Sequence, residues 1–119
     1  MAIIDERPTI IVNRHESLSE LNIAEILLGI EEESLPYTVH VKTESNAAEL
    51  AHAAAIESRL GVGVGASGDT VVVTTEKLPA DTPYIVEPLN VRRAVDRAVG
   101  LNAARLVKRM PLHIVGNGA

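Results

Sequence analysis

SLSELNIAEILLGIEEESLP, residues 17–36, carries an apolar pattern with a helical period that ends in three consecutive carboxylates before a proline. Ser17 and Glu20 have the S-x-x-E spacing of a capping box, which predicts a helix from Ser17 onward. At 100° per residue Leu21, Ile23, Ala24, Ile26, Leu27, Leu28 and Ile30 spread over more than half of the circumference. Asn22, Glu25 and Gly29 are left as a narrow polar strip. Such a helix wants contacts on two sides. Its carboxyl end is the negative pole of the helix dipole, where Glu31, Glu32 and Glu33 each cost roughly 0.3–1 kcal/mol. A solvated helix end is the plain reading of such a run; a metal or a basic partner is the functional one.

The flanking sequence makes this helix one link of an α/β fold. Thr9 to Asn13 holds an unbroken Ile10-Ile11-Val12 run, as a strand buried on both faces does. Tyr37 to Lys42 alternates Tyr, Val, Val with Thr, His, Lys, the pattern of a half-exposed strand nearer an edge. Strand, helix, strand implies a right-handed crossover and a parallel pair. Asn46 with Glu49 opens a second, alanine-rich helix. From Leu60 to Gly65, Leu60, Val62 and Val64 alternate with Gly61, Gly63 and Gly65, so the alanines are expected to meet a face of glycines. Gly65 to Asp69 reads as a turn into the strongly β-forming Thr70–Thr75, an antiparallel hairpin. Tyr84 to Val86, between Pro83 and Pro88, is a short fifth strand. Asn90 to Met110 is helical with an expected break at Gly100-Leu101-Asn102, and Pro111 ends it. The expected product is a single three-layer α/β domain over residues 9–115, behind a flexible leader at 1–8. Its sheet is mixed, mostly parallel, of about five strands with helices on both faces.

Composition narrows the function. The 119 residues contain no Cys, Trp or Phe and two Tyr, so disulfides, thiolate chemistry and aromatic stacking on bases are all disfavoured. A net charge of −5 argues against nucleic acid as a ligand. The N-terminus has Asp5, Glu6 and Arg7 where a signal peptide needs an apolar run, and no stretch reaches membrane-spanning length, so a cytoplasmic protein is expected. Charge is unevenly placed: residues 1–60 hold 11 acidic and 4 basic side chains, residues 61–119 hold 5 and 7. Six of the eleven cations fall between Arg92 and Arg109, a basic segment suited to an acidic surface on another subunit.

Catalytic patterns fail in context. Gly61, Gly63, Gly65 and Gly68 have a dinucleotide-like spacing, but a strand follows where the phosphate-binding helix belongs. The four histidines show no paired spacing for zinc. Glu31 and Glu32 point about 100° apart on a helix and do not form an acid–base pair. A hard cation taking one carboxylate, completed by oxygens from another chain, is easier to build.

Three segments together, ILLGIEEESLPY (26–37), ESRLGVGVGASGDTVVVTTEKLPADTPYIV (57–86) and NAARLVKRMPL (102–112), resemble the small subunit of diol and glycerol dehydratase reactivating factors. The resemblance implies an α/β domain that joins a large ATPase subunit, on which ATP or ADP is bound. It also implies a non-catalytic role in releasing damaged cobalamin from an inactivated dehydratase by subunit exchange, with transient contact to the dehydratase large subunit. A divalent cation such as Mg2+ is implied at the contact between subunits, its ligand placed on Glu32, with Glu31 as the fallback. Glu25, Gly29, Glu32, Arg105 and Lys108 are then expected at the partner interface. One departure stands out: Ser34 occupies the position before Leu35-Pro36 where the family often has glycine. The alternatives are a medium-subunit-like component of the cobalamin-dependent dehydratase itself, or a free-standing regulatory domain. Location in a bacterial microcompartment is a further implication.

Overall fold

The computed structural model describes residues 7–116, so positions 1–6 of the expected leader lie outside the described residues. The chain runs β1 (Ile10–His15), α1 (Ala24–Glu32), β2 (Tyr37–Lys42), α2 (Ala47–Glu57), β3 (Val62–Ser67), β4 (Thr70–Thr75), β5 (Ile85–Pro88) and α3 (Arg93–Lys108), with a 3-10 turn at Glu20–Ile23 before α1. The five strands form one sheet in the order β2-β1-β3-β4-β5. β2 and β3 flank β1 in parallel, whereas β4 and β5 continue antiparallel. The sheet is therefore mixed as expected, but equally divided rather than mostly parallel. The chain crosses one way from β1 to β2 and back past β1 from β2 to β3, so crossovers of one hand put α1 and α2 on opposite faces.

The two faces are built differently. Toward α1 and α3, Ile10, Val12, Val62, Val64, Val71 and Val73 meet Ile23, Ile26, Ile30, Val99 and Ala103 in a continuous aliphatic core. Toward α2 the sheet offers Gly63 and Gly65, and the alanine helix lies directly on them. A Cβ on Gly63 would press on the backbone at Ala51, Ala54 and Ala55, and one on Gly65 on that at Ala47 and Ala51. The expected pairing of alanines with glycines is thus realised, although β3 begins at Val62 and Gly61 sits in the preceding turn at φ 73°. Asn46 caps α2 as its sequence implies, its Oδ1 accepting from the Glu49 amide at 3.1 Å.

Two boundaries differ from expectation. The first helix does not start at Ser17. Ser17 Oγ lies 2.7 Å from His15 Nδ1 instead. Ser19 leads the 3-10 turn, and its amide donates to Asn22 Oδ1 at 2.8 Å. An S-x-x-N pair two residues further on thus replaces the S-x-x-E pair. The α-helix proper follows from Ala24. The second difference is that α3 is unbroken through Gly100 and closes at Arg109, which adopts the left-handed conformation at φ 57°. Gly100 is there for packing. It crosses Gly29 of α1 so closely that a Cβ on Gly100 would collide with the Ile26 carbonyl and sit 3.0 Å from Gly29 Cα.

Gly100→Ala is expected to force the two helices apart and to cost about 1–3 kcal/mol or more, the range for overpacking a close-packed site. Gly68→Ala meets open space and carries only the strain of its φ of 59°. Urea unfolding midpoints of the two variants beside the parent check this; similar midpoints for both would contradict the Gly29–Gly100 crossing. Ser34, just past α1, holds φ 61°. Ser34→Gly relieves the left-handed strain and is expected to raise stability by about 1 kcal/mol in the same assay.

Candidate functional site: the carboxyl end of the first helix

The Gly29–Gly100 crossing brings the acidic face of α1 against the basic face of α3. Arg97 Nε donates to Glu25 Oε2 at 2.8 Å, and its Nη1 donates to Glu32 Oε1. Arg93 Nε adds a 3.6 Å contact to Glu25 Oε1. Further along α3, Arg105 Nε and Lys108 Nζ both donate to Glu33, each at 3.3 Å. The partners advance together along both helices, which therefore run in the same direction. Glu32 and Glu33 at the negative end of α1 are compensated by cations of the same chain, and four of the six cations of the basic segment 92–109, Arg93, Arg97, Arg105 and Lys108, contact acidic side chains on or just past α1.

The three carboxylates are in different situations. Glu33 is enclosed, its side chain 13% exposed. Burial works to raise its pKa, but the hydrogen bonds and charges of Lys108 and Arg105 outweigh that and hold the carboxyl below its ordinary range. Glu32 keeps 47% of its side chain in solvent while paired to Arg97. Glu31 is exposed and accepts from the Tyr37 hydroxyl at 3.1 Å. Burial, and then that bond to Glu31, raises the Tyr37 pKa. For Arg97 the Glu25 hydrogen bond raises the pKa further, against the effect of burial.

The expected site residues thus divide. Glu25 and Glu32 share Arg97 on the surface. Gly29 is buried against α3, where Gly100 of the same chain covers it. Arg105 and Lys108 are engaged with Glu33. Glu31 and Glu32 diverge toward Tyr37 and Arg97. Among the described residues no group of three or more His, Asp or Glu side chains is placed to hold a metal. A cation fits here only as a shared one, taking one exposed carboxylate from this chain and its remaining oxygens from elsewhere. Arg97 and Glu33, the two centres of the ion-pair array, fall within the basic segment 92–109 and the acidic run 31–33 that the sequence marks, but not among the residues expected at the metal or the interface. The signal is the matched spacing of Glu25, Glu32 and Glu33 with Arg97, Arg105 and Lys108, which becomes visible once the two helices are known to be neighbours.

Beside this array the 3-10 turn, α1 and the loop before α3 each keep an apolar side chain in solvent. Leu21 is 86% exposed, Leu28 42% and Val91 69%. Leu21 and Val91 flank a shallow groove that Glu25 and Asp96 also line. Asp96 is itself buried at 4% exposure, and both of its oxygens accept from the Asn90 amide, at 3.3 and 3.2 Å. Burial raises its pKa, with Glu25 acting in the same direction and the Asn90 amide against it. This carboxylate holds the turn at Asn90, which adopts φ 63°.

An α/β domain with an exposed apolar and charged helix face fits one member of a larger assembly, and residues 7–113 match the dehydratase medium subunit family. The chain is 37% identical over 87 residues to the propanediol dehydratase-reactivating factor small subunit of Citrobacter freundii, a span of 73% of this chain and 75% of that one. It is 35% identical over 95 residues to the diol dehydratase-reactivating factor small subunit of Klebsiella michiganensis, covering 80% and 76%. Its fold superposes with a TM-score of 0.85 on a chain of the diol dehydratase-reactivating factor solved with ADP and Mg2+, at 32% identity, covering 92% of this chain and 100% of that one. A glycerol dehydratase reactivase chain gives the same TM-score at 28% identity, covering 91% and 98%. The chain belongs to the family of dehydratase-reactivating factor small subunits.

Because Glu33 has its pKa lowered on folding, it contributes stability that is present above the ordinary carboxylate range and is lost as the pH falls through its folded value. Asp96, with its pKa raised, contributes in the opposite sense: its stabilisation is present at low pH and is lost as pH rises through its folded value. Glu33→Gln is expected to lower stability at pH 7 and to lower it less near pH 3, below the ordinary carboxylate value. Unfolding midpoints across that range check the sign, and an equal loss at both pH values would show that the ion pairs are not its source.

Proposed function

We propose that the chain is the non-catalytic small subunit of a chaperone-like reactivating factor. It associates with a large ATPase subunit and, with it, frees damaged cobalamin from an inactivated diol or glycerol dehydratase by taking the place of a dehydratase subunit. Nucleotide hydrolysis belongs to the large subunit. The observation that supports this reading best is the correspondence over the whole length of a chain of the diol dehydratase-reactivating factor, a complex containing ADP and Mg2+. The exposed Leu21, Leu28 and Val91 beside the Glu25–Arg97–Glu32 array suit a partner-facing surface: apolar area to bury, with charge already compensated. Glu32 is the carboxylate we assign to a shared divalent cation at that contact, since it is accessible while Glu33 is enclosed; Glu31 is second. A cytoplasmic setting, with or without a microcompartment, goes with this role.

The test uses dehydratase inactivated with a damaged cobalamin. Chain plus large subunit, ATP and Mg2+ is expected to restore activity once intact cofactor is supplied, and neither subunit alone is expected to do so. Restoration without nucleotide, or complementation of a dehydratase lacking its medium subunit, would instead make the chain a component of the enzyme. Glu32→Gln is expected to weaken association with the large subunit across a Mg2+ titration while leaving the unfolding midpoint within about 1 kcal/mol of the parent, as loss of one exposed ion pair allows. An unchanged titration would remove Glu32 from the contact.

A further inference from the structure

The two edges of the sheet are not alike. At the β5 edge Pro88 has no N–H to offer and Glu87 adds a charge, two of the means by which edge strands are kept from pairing. Between Tyr37 and Val41 the β2 edge has neither, only Tyr, Thr, Val, His and Val. The Ile10 amide donates to the Pro36 carbonyl at 3.1 Å and the Glu16 amide to the Lys42 carbonyl at 2.9 Å, so the even-numbered residues of β2 turn their main-chain groups toward β1. The N–H and C=O groups of Tyr37, Val39 and Val41 therefore point outward, and among the described residues no main-chain bond reaches them. Their side chains share one face of the sheet. Tyr37 and Val39 pack against the aliphatic core there, whereas Val41 is 54% exposed. On the other face His40 Nδ1 lies 3.5 Å from Glu57.

We propose that the β2 edge pairs with the β2 edge of a second copy of this chain, antiparallel about a two-fold axis at Val39, so that the two sheets become one. The occupant follows from the pattern of the edge itself. Two identical edges close into an isologous pair when they meet antiparallel about a two-fold axis. With that axis at Val39, Tyr37 faces Val41 of the other copy and Val39 faces its own counterpart, so every outward N–H of the strand meets an outward C=O. Moving the axis by one residue, to Thr38 or His40, leaves an outward residue on each strand facing beyond the end of the other. In the Val39 register the ring of Tyr37 covers exposed Val41 of the other copy, an aromatic and β-branched pair of the kind that stabilises neighbouring strands. On the opposite face Thr38 meets His40 and Pro36 meets Lys42, so no like charges are opposed. This pairing is independent of the reactivating role proposed above, which dehydratase reactivation tests separately.

Sedimentation equilibrium of the full chain between micromolar and millimolar concentration is expected to show a mean mass that rises toward that of two chains. Val41→Lys places a charge on the edge at an exposed position and is expected to weaken the dimer by about tenfold or more while the unfolding midpoint stays with the parent. Because the chain has no cysteine, Val39→Cys reads the register directly. Hydrogen-bonded residues opposite one another in an antiparallel pair stand about 5.5 Å apart at Cα, within reach of a disulfide. Mild oxidation is expected to link Val39→Cys into dimers, and Val41→Lys in the same chain to suppress the link. Val86→Cys on β5, exposed to a similar degree, is expected to stay unlinked. A chain that remains monomeric throughout, a dimer that Val41→Lys leaves unchanged, or linking through Val86→Cys and not through Val39→Cys overturns the proposal. A monomeric parent whose Val41→Lys variant no longer associates with the large subunit would assign the edge to that subunit, and would overturn the assignment to a second copy.

Discussion

The contact on which the site depends is the crossing of Gly29 and Gly100. Two backbones meeting without side chains bring the α1 and α3 axes close enough for the short reach of Arg97 to span Glu25 and Glu32, and for Arg105 and Lys108 to close on Glu33. Glycine lowers helix propensity by about 1 kcal/mol at each position. The offset is the burial of Ile26, Ile30 and Val99 around the crossing, each worth roughly 1.5–3 kcal/mol when fully removed from water. Local preference gives way here to tertiary packing, and the electrostatics of the site follow from that geometry.

The same use of small residues recurs on the other face with another result. Against α2 the sheet contributes Gly63 and Gly65 together with buried Asn13 and Thr74, and the helix contributes mainly alanine. Asn13 donates to the Leu50 carbonyl at 3.0 Å, tying strand to helix through a polar bond. The domain therefore has a thick aliphatic core on the α1–α3 side and a thin layer, closely packed backbone on backbone, on the α2 side. The Glu25–Arg97–Glu32 array and the segment at 111–116 both lie with the thick side.

Much of this architecture is legible in the sequence, and the reason is locality. The alternation of valine and glycine in 60–65, the turn before Thr70, and Asn46 set three residues before Glu49 each specify a neighbour within a few positions or on the facing layer. What the sequence does not display is contact between elements 65 to 75 residues apart. Gly100 looks like a helix break because nothing near it in the chain announces Gly29. Glu32 and Glu33 look uncompensated for the same reason, since their cations lie at 97, 105 and 108. The helix start differs from expectation on another ground: Ser17-Glu20 and Ser19-Asn22 are both capping patterns, and the chain uses the second because Ser17 is drawn to His15 as β1 ends.

Compensation within the chain changes what the acidic end offers a partner. Three bare carboxylates at a helix terminus would repel one another and draw in any cation; here Glu32 and Glu33 are paired with cations and Glu31 meets only the Tyr37 hydroxyl. Enclosed Glu33, held by two cations, stabilises the α1–α3 pair, and taking it for another purpose would leave Arg105 and Lys108 without their anion. Glu32 differs. Arg97 already rests on Glu25 at 2.8 Å, so a group arriving at Glu32 displaces one of two ion pairs and leaves the guanidinium with a partner. Of the two cation-paired glutamates, Glu32 is therefore the one whose engagement by another group disturbs the fold less, while exposed Glu31 holds only the Tyr37 hydroxyl.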